Sequence, residues 1–84
     1  MIGFEWLANV LDARRVVVVM GRRRSGMTAP EIARTLEWTV PHAERILDRL
    51  MQRNQVIGFS RRECSATGYP RTQFWLARLF PHPM

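Results

Sequence analysis

The apolar positions of residues 4–20, FEWLANVLDARRVVVVM, repeat with a helical period. Phe4, Leu7, Leu11 and Val18 share one face, and Val10 and Val17 widen it. The four consecutive valines favour a strand by propensity alone. The longer register predicts one helix of about 18–20 residues ending near GRRRSG, with a break near Asp12 as the alternative. Gly21 and Gly26 flank that ending, and Arg22–Arg24 suit the carbonyl end of a helix.

SGMT, residues 25–28, reads as a loop. Thr28 followed by Glu31 fits a capping box, and Pro30 is tolerated in a first turn. A helix is expected over Ala29–Leu36 with Ile32, Ala33 and Leu36 inward. EWT interrupts the pattern. Thr39 then caps a third helix running to about Asn54, with Pro41 in its first turn. Its core face is Ala43, Ile46, Leu47 and Leu50, at the i, i+3, i+4, i+7 positions. VIGFSR and TQFWLA read as two strands of a hairpin. The intervening RECSATGYPR contains Gly68 and Pro70 and is expected to stay out of the core. Phe74 and Trp75 alternate on a strand, so only one of them can face inward. Residues 78–84 read as an extended tail. The expected fold is mainly α with a β-hairpin (α+β), a single domain over 1–84.

Composition narrows the function. Eighty-four residues that are 46% apolar suit one small folded domain rather than a disordered chain. A single cysteine, Cys64, rules out an internal disulfide and any cysteine-pair metal site. His42 and His82 have no ligand-spaced partners, so no metal is expected. Nothing resembles a phosphate-binding glycine loop, a paired-carboxylate site or an activated nucleophile, so no enzyme and no cofactor are expected. The apolar run VVVVM is far below the ~18 residues of a membrane span. The N-terminus carries Glu5 and no basic segment, so a soluble cytoplasmic protein is expected.

Charge adds the strongest hint. Thirteen basic residues against seven acidic ones give a formal charge of +6, and all thirteen are arginine. A GC-rich coding bias accounts for that arginine usage as readily as chemistry does, but the net charge favours a polyanionic partner either way. On the third helix His42, Arg45, Arg49 and Arg53 form a stripe beside the apolar face, with Glu44 and Asp48 on the other flank. Arg45 and Arg49 suit guanine edges or phosphates, and Glu44 suits a cytosine amine. A solvated face of mixed charge is the plainer alternative.

The order helix–helix–helix–hairpin, with Ile32, Ala33, Leu36, Trp38, Ala43 and Ile46 at the spacings of a two-helix corner, resembles the winged helix-turn-helix superfamily. The resemblance covers roughly residues 12–77 and departs at Glu37, where many members have glycine. It implies sequence-specific binding of double-stranded DNA and transcriptional regulation of bacterial or phage type. Helix 39–53 would lie in the major groove and hairpin loop 61–71 would act as the wing. The implied contact residues are Thr39, His42, Glu44, Arg45, Arg49, Arg53, Arg61, Arg62, Tyr69 and Arg71. The alternatives are a protein-interaction module on the same scaffold and non-specific nucleic-acid binding. The apolar residues Phe4, Trp6, Leu7, Val10 and Leu11 suggest a homodimer through segment 1–11. No small-molecule effector is evident.

Overall fold

The computed structural model describes residues 4–23 and 26–79, the side chains of 4–8, 59, 60, 62 and 79 aside. Among the described residues the chain forms a small α+β domain of three helices and a three-stranded antiparallel sheet. The elements are α1 (Phe4–Arg22), β1 (Met27–Thr28), α2 (Ala29–Leu36), α3 (Val40–Gln52), β2 (Val56–Glu63) and β3 (Pro70–Leu76), followed by a 3₁₀ turn over Ala77–Leu79. Sheet order is β1-β3-β2.

Helix α1 is continuous over 19 residues, so the valine run stays helical and Asp12 does not break it. Its inward residues Val16 and Met20 join Ile32, Ala33, Ala43, Ile46, Leu47, Leu50, Val56 and Leu76 in one buried cluster. Tertiary packing thus overrides the β-propensity of the valines. Phe74 and Trp38 pack on the margin of that cluster. Trp75 is on the opposite face of β3, where its ring approaches Gly26.

The expected loop at 26–28 is corrected. Met27 and Thr28 pair with Phe74 and Gln73 as a third strand, too short to show any periodicity in sequence. The hairpin is also longer than expected. The ladder runs from Val56↔Leu76 to Glu63↔Pro70, with an irregularity between Phe59 and Arg61, and the connecting loop is only 64–69. That loop does not stay clear of the core, because Cys64 is fully buried. Tail residues 80–84 lie outside the described residues, as do Arg24 and Ser25 of the GRRRSG run.

The α2–α3 corner turns through Glu37, which adopts the left-handed conformation (φ 59°, ψ 42°) and donates its N–H to the Ala33 carbonyl. This is the position where the sequence departs from the glycine of the resembled pattern, and a Cβ there is strained by about 1 kcal/mol. Glu37→Gly is therefore expected to raise stability by about 0.5–1 kcal/mol, read as a higher urea midpoint at unchanged slope. A lower midpoint would mean that the glutamate side chain contributes more than its backbone strain costs.

Candidate nucleic-acid interface

Helix α3 begins at Thr39, whose extended backbone (φ −76°, ψ 154°) lets its hydroxyl accept the His42 N–H at 3.3 Å. The Thr39 hydroxyl is thus engaged as a cap. With Ala43, Ile46, Leu47 and Leu50 buried, a rotation of about 100° per residue turns Pro41, Arg45, Asp48 and Gln52 outward. Arg49 lies toward α1, and Glu44 lies toward the hairpin.

The arginine stripe expected on this helix is not a single stripe. His42 is only partly exposed, because its Nε2 meets Asp12 Oδ2 of α1 at 2.8 Å. Its ring also packs edge-on against Trp38, with centroids 4.6 Å apart. Arg45 Nη2 donates to His42 Nδ1 at 2.8 Å. A guanidinium can only donate, so Nδ1 is the acceptor, and the proton of the neutral ring sits on Nε2, facing Asp12. His42 is therefore a strut that ties α3 to α1 and holds Arg45, rather than a free contact residue. Arg53 is the C-cap of α3, one residue beyond the helix end. Together with Arg49 it lines a cleft against α1.

On the opposite flank, Glu44, Arg45 and Asp48 of α3 face Arg61, Arg71 and Thr72 of the hairpin across an open groove of about 650 Å³. Among the described residues neither Glu44 nor Asp48 is paired with an arginine. Arg61 Nη2 donates to the Pro70 carbonyl at 3.0 Å. Arg61, Arg62 and Arg71 do not belong to the connecting loop, as the expected loop 61–71 has it. They stand inside the ladder, with Arg61 opposite Thr72 and Arg62 opposite Arg71. The Arg62 side chain lies outside the described residues. Tyr69, at the loop, is 70% exposed.

No protein-family model, curated protein or solved structure matches the chain.

The loop that carries Tyr69 is fixed by contacts the sequence does not reveal. The capping box is present: the Thr28 hydroxyl accepts the Glu31 N–H at 3.4 Å, and Glu31 Oε1 accepts the Thr28 N–H at 3.0 Å. The second carboxylate oxygen, Oε2, accepts from both the Ser65 N–H (3.0 Å) and the Ser65 hydroxyl (2.7 Å). Cys64 Sγ lies 2.9 Å from the Thr28 hydroxyl. Burial pushes the Cys64 thiol up. Hydrogen bonds from the Thr28 side chain and from the backbone of Ala66 and the side chain and backbone of Thr67 outweigh it, and the thiol is held below its ordinary range. One end of α2 therefore anchors the hairpin loop, and the other end turns into α3. Asp12 and Ser65 are the site-organising residues that sequence reasoning missed; each acts on a partner about thirty residues away, so no local spacing marks it.

Among the described residues no helix is long and apolar enough to cross a membrane.

Proposed function

We propose that the chain binds double-stranded DNA as a winged helix-turn-helix domain, with α3 entering the major groove and the β2–β3 hairpin following the adjacent backbone. Transcriptional regulation is the role such binding serves. The observation that carries this reading is the groove shared by α3 and the hairpin, where Arg45 faces Arg61 and Arg71. The element order α1-β1-α2-α3-β2-β3 and the β1-β3-β2 sheet order are compatible with that layout.

Charge decides how the contacts divide. Glu44 and Asp48 offset the arginines on the helix itself, so α3 supplies little net attraction to phosphate. Attraction falls to the rest of a chain of charge +6. Glu44, exposed and unpaired among the described residues, suits a cytosine amine, and Arg45 suits a guanine edge once it leaves His42. Specificity then resides on α3 and general affinity on Arg61, Arg71 and the exposed Tyr69.

Anisotropy titrations at several salt concentrations, against a duplex selected from a random library and against a random one, test this division. Arg71→Ala is expected to weaken both duplexes alike and to flatten the salt slope by about one. Arg45→Ala is expected to lose about 1–3 kcal/mol on the selected duplex and much less on the random one. No duplex uptake in dilute buffer would overturn the proposal, and equal losses from the two variants would overturn the division of roles.

Pairing of segment 1–11 with a second copy rests on Phe4, Trp6 and Leu7, whose side chains lie outside the described residues, and on Val10 and Leu11. Leu11 (54% exposed) and Val18 (47%) do present apolar surface. Arg14 and Arg15 lie beside them along the same groove. An antiparallel contact centred between Leu11 and Val18 would set those arginines against their own copies.

A further inference from the structure

The cleft on the far flank of α3 combines two properties. Its rim carries three arginines from two helices: Arg14 of α1, and Arg49 and Arg53 at the end of α3. Its wall is largely apolar, formed by Val10, Ala13, Val17 and Leu50, with Asn9 and Gln55 also lining it. Val10 remains 39% exposed. Among the described residues none of the three guanidinium groups has a hydrogen-bond or ion-pair partner in its side chain.

The carbonyl end of α3 accounts for part of this charge. A helix C-terminus carries roughly half a negative charge, which one arginine satisfies. Three guanidinium groups leave the cleft strongly cationic. All three arginines are exposed, and they surround apolar side chains. A bare phosphate would satisfy the rim and leave the wall wet. A neutral apolar molecule would cover the wall and leave the rim unpaired. The complementary ligand has both parts.

We propose that this cleft binds a small organic anion: a carboxylate on a short acyl or aryl body, with the anionic group among Arg14, Arg49 and Arg53 and the body against Val10, Val17 and Leu50. The cavity of about 290 Å³ limits the body to a short one. Because Arg49 and Arg53 are at the end of α3, an occupant also alters the helix assigned above to DNA. That consequence rests on the DNA reading, whereas binding of the anion does not.

The test uses octanoate as the probe, with octanol and acetate as its neutral and bodiless counterparts, measured by calorimetry on the full chain. A probe of about ten heavy atoms is expected to bind with Kd on the order of 0.1–1 mM, at least about tenfold tighter than either counterpart. Amide shifts in a heteronuclear NMR spectrum should cluster at residues 9–17 and 49–55. Arg14→Ala and Val10→Asn should each weaken octanoate about fivefold or more. Both change exposed residues, so they leave the fold intact. Arg71→Ala, on the opposite flank, should bind octanoate as the parent does. Equal binding of octanoate and octanol, or octanoate binding unchanged in Arg14→Ala and Val10→Asn, overturns the site. A saturated cleft with undiminished duplex affinity overturns only the coupling, and a chain that takes up octanoate but no duplex overturns only the DNA reading.

Discussion

Glu31→Ala is expected to lower stability by about 2–4 kcal/mol and to release the hairpin loop from α2. Glu31 is 5% exposed, and its carboxylate accepts from the Thr28 N–H, the Ser65 N–H and the Ser65 hydroxyl. Removing it orphans a buried cap donor and frees the loop at the same time. A hydrogen bond to an ionised acceptor contributes about 1.5–3 kcal/mol, and several on one group do not add fully. Glu31→Gln keeps one carbonyl acceptor and is expected to fall between parent and alanine variant. Denaturant midpoints give the stability. Amide exchange gives the location, with the Ser65 N–H losing protection first. A loss below about 0.5 kcal/mol with Ser65 still protected would show that the bridge contributes nothing. Because Tyr69 is on the freed loop, the DNA-binding proposal has the folded fraction of Glu31→Ala bind duplex more weakly.

Helices α2 and α3 and the hairpin were legible because their signals are local, whereas α1 was legible as a helix but not in its face: it buries Val16 and Met20 and leaves Val10, Leu11 and Val18 of the expected stripe exposed. Thr28 with Glu31, Thr39 with Pro41, and Ala43-Ile46-Leu47-Leu50 each lie within two turns, and each appears where its spacing places it. Strand β1 was not legible, since two residues have no period and their pairing with Gln73 and Phe74 depends on the sheet. The same divide runs through the site. Arg45 and Glu44 stand on the exposed face of α3 as expected. His42 shares the arginines' side of the helical wheel but is drawn to Asp12, thirty residues earlier, by a contact that exists only once α1 crosses α3. A helical wheel places residues around an axis; it does not say which neighbour fills each direction. For that reason the flank holding Arg49 and Arg53 proved to face α1, and the flank holding Glu44 and Asp48 proved to face the hairpin.

Gly26→Ala is expected to be the most disruptive added methyl among the described glycines. Gly26 is buried with φ +86°, and a Cβ there would stand 2.8 Å from both Gln73 Nε2 and Trp75 Cε2. The left-handed backbone alone costs a residue with a Cβ about 1–2 kcal/mol. Forcing a methyl into filled space adds about 1–3 kcal/mol. Gly68 separates the two contributions, because it has a similar φ of +77° and no atom within 4 Å of an added Cβ. Gly68→Ala should therefore lose only the backbone part, and the difference between the variants measures the steric part. For a domain of this size 1 kcal/mol shifts Tm by roughly 4–8 °C, so the two should separate clearly in thermal unfolding. Equal losses would mean that Gln73 and Trp75 move aside without strain. The damage should spread in one direction. Gly26 leads directly into Met27 and Thr28, which pair with β3, and Thr28 caps α2 and meets Cys64. Displacing that strand loosens the α2 cap and the hairpin loop together, so a methyl on the face of the sheet opposite the core should weaken the same loop as the loss of Glu31.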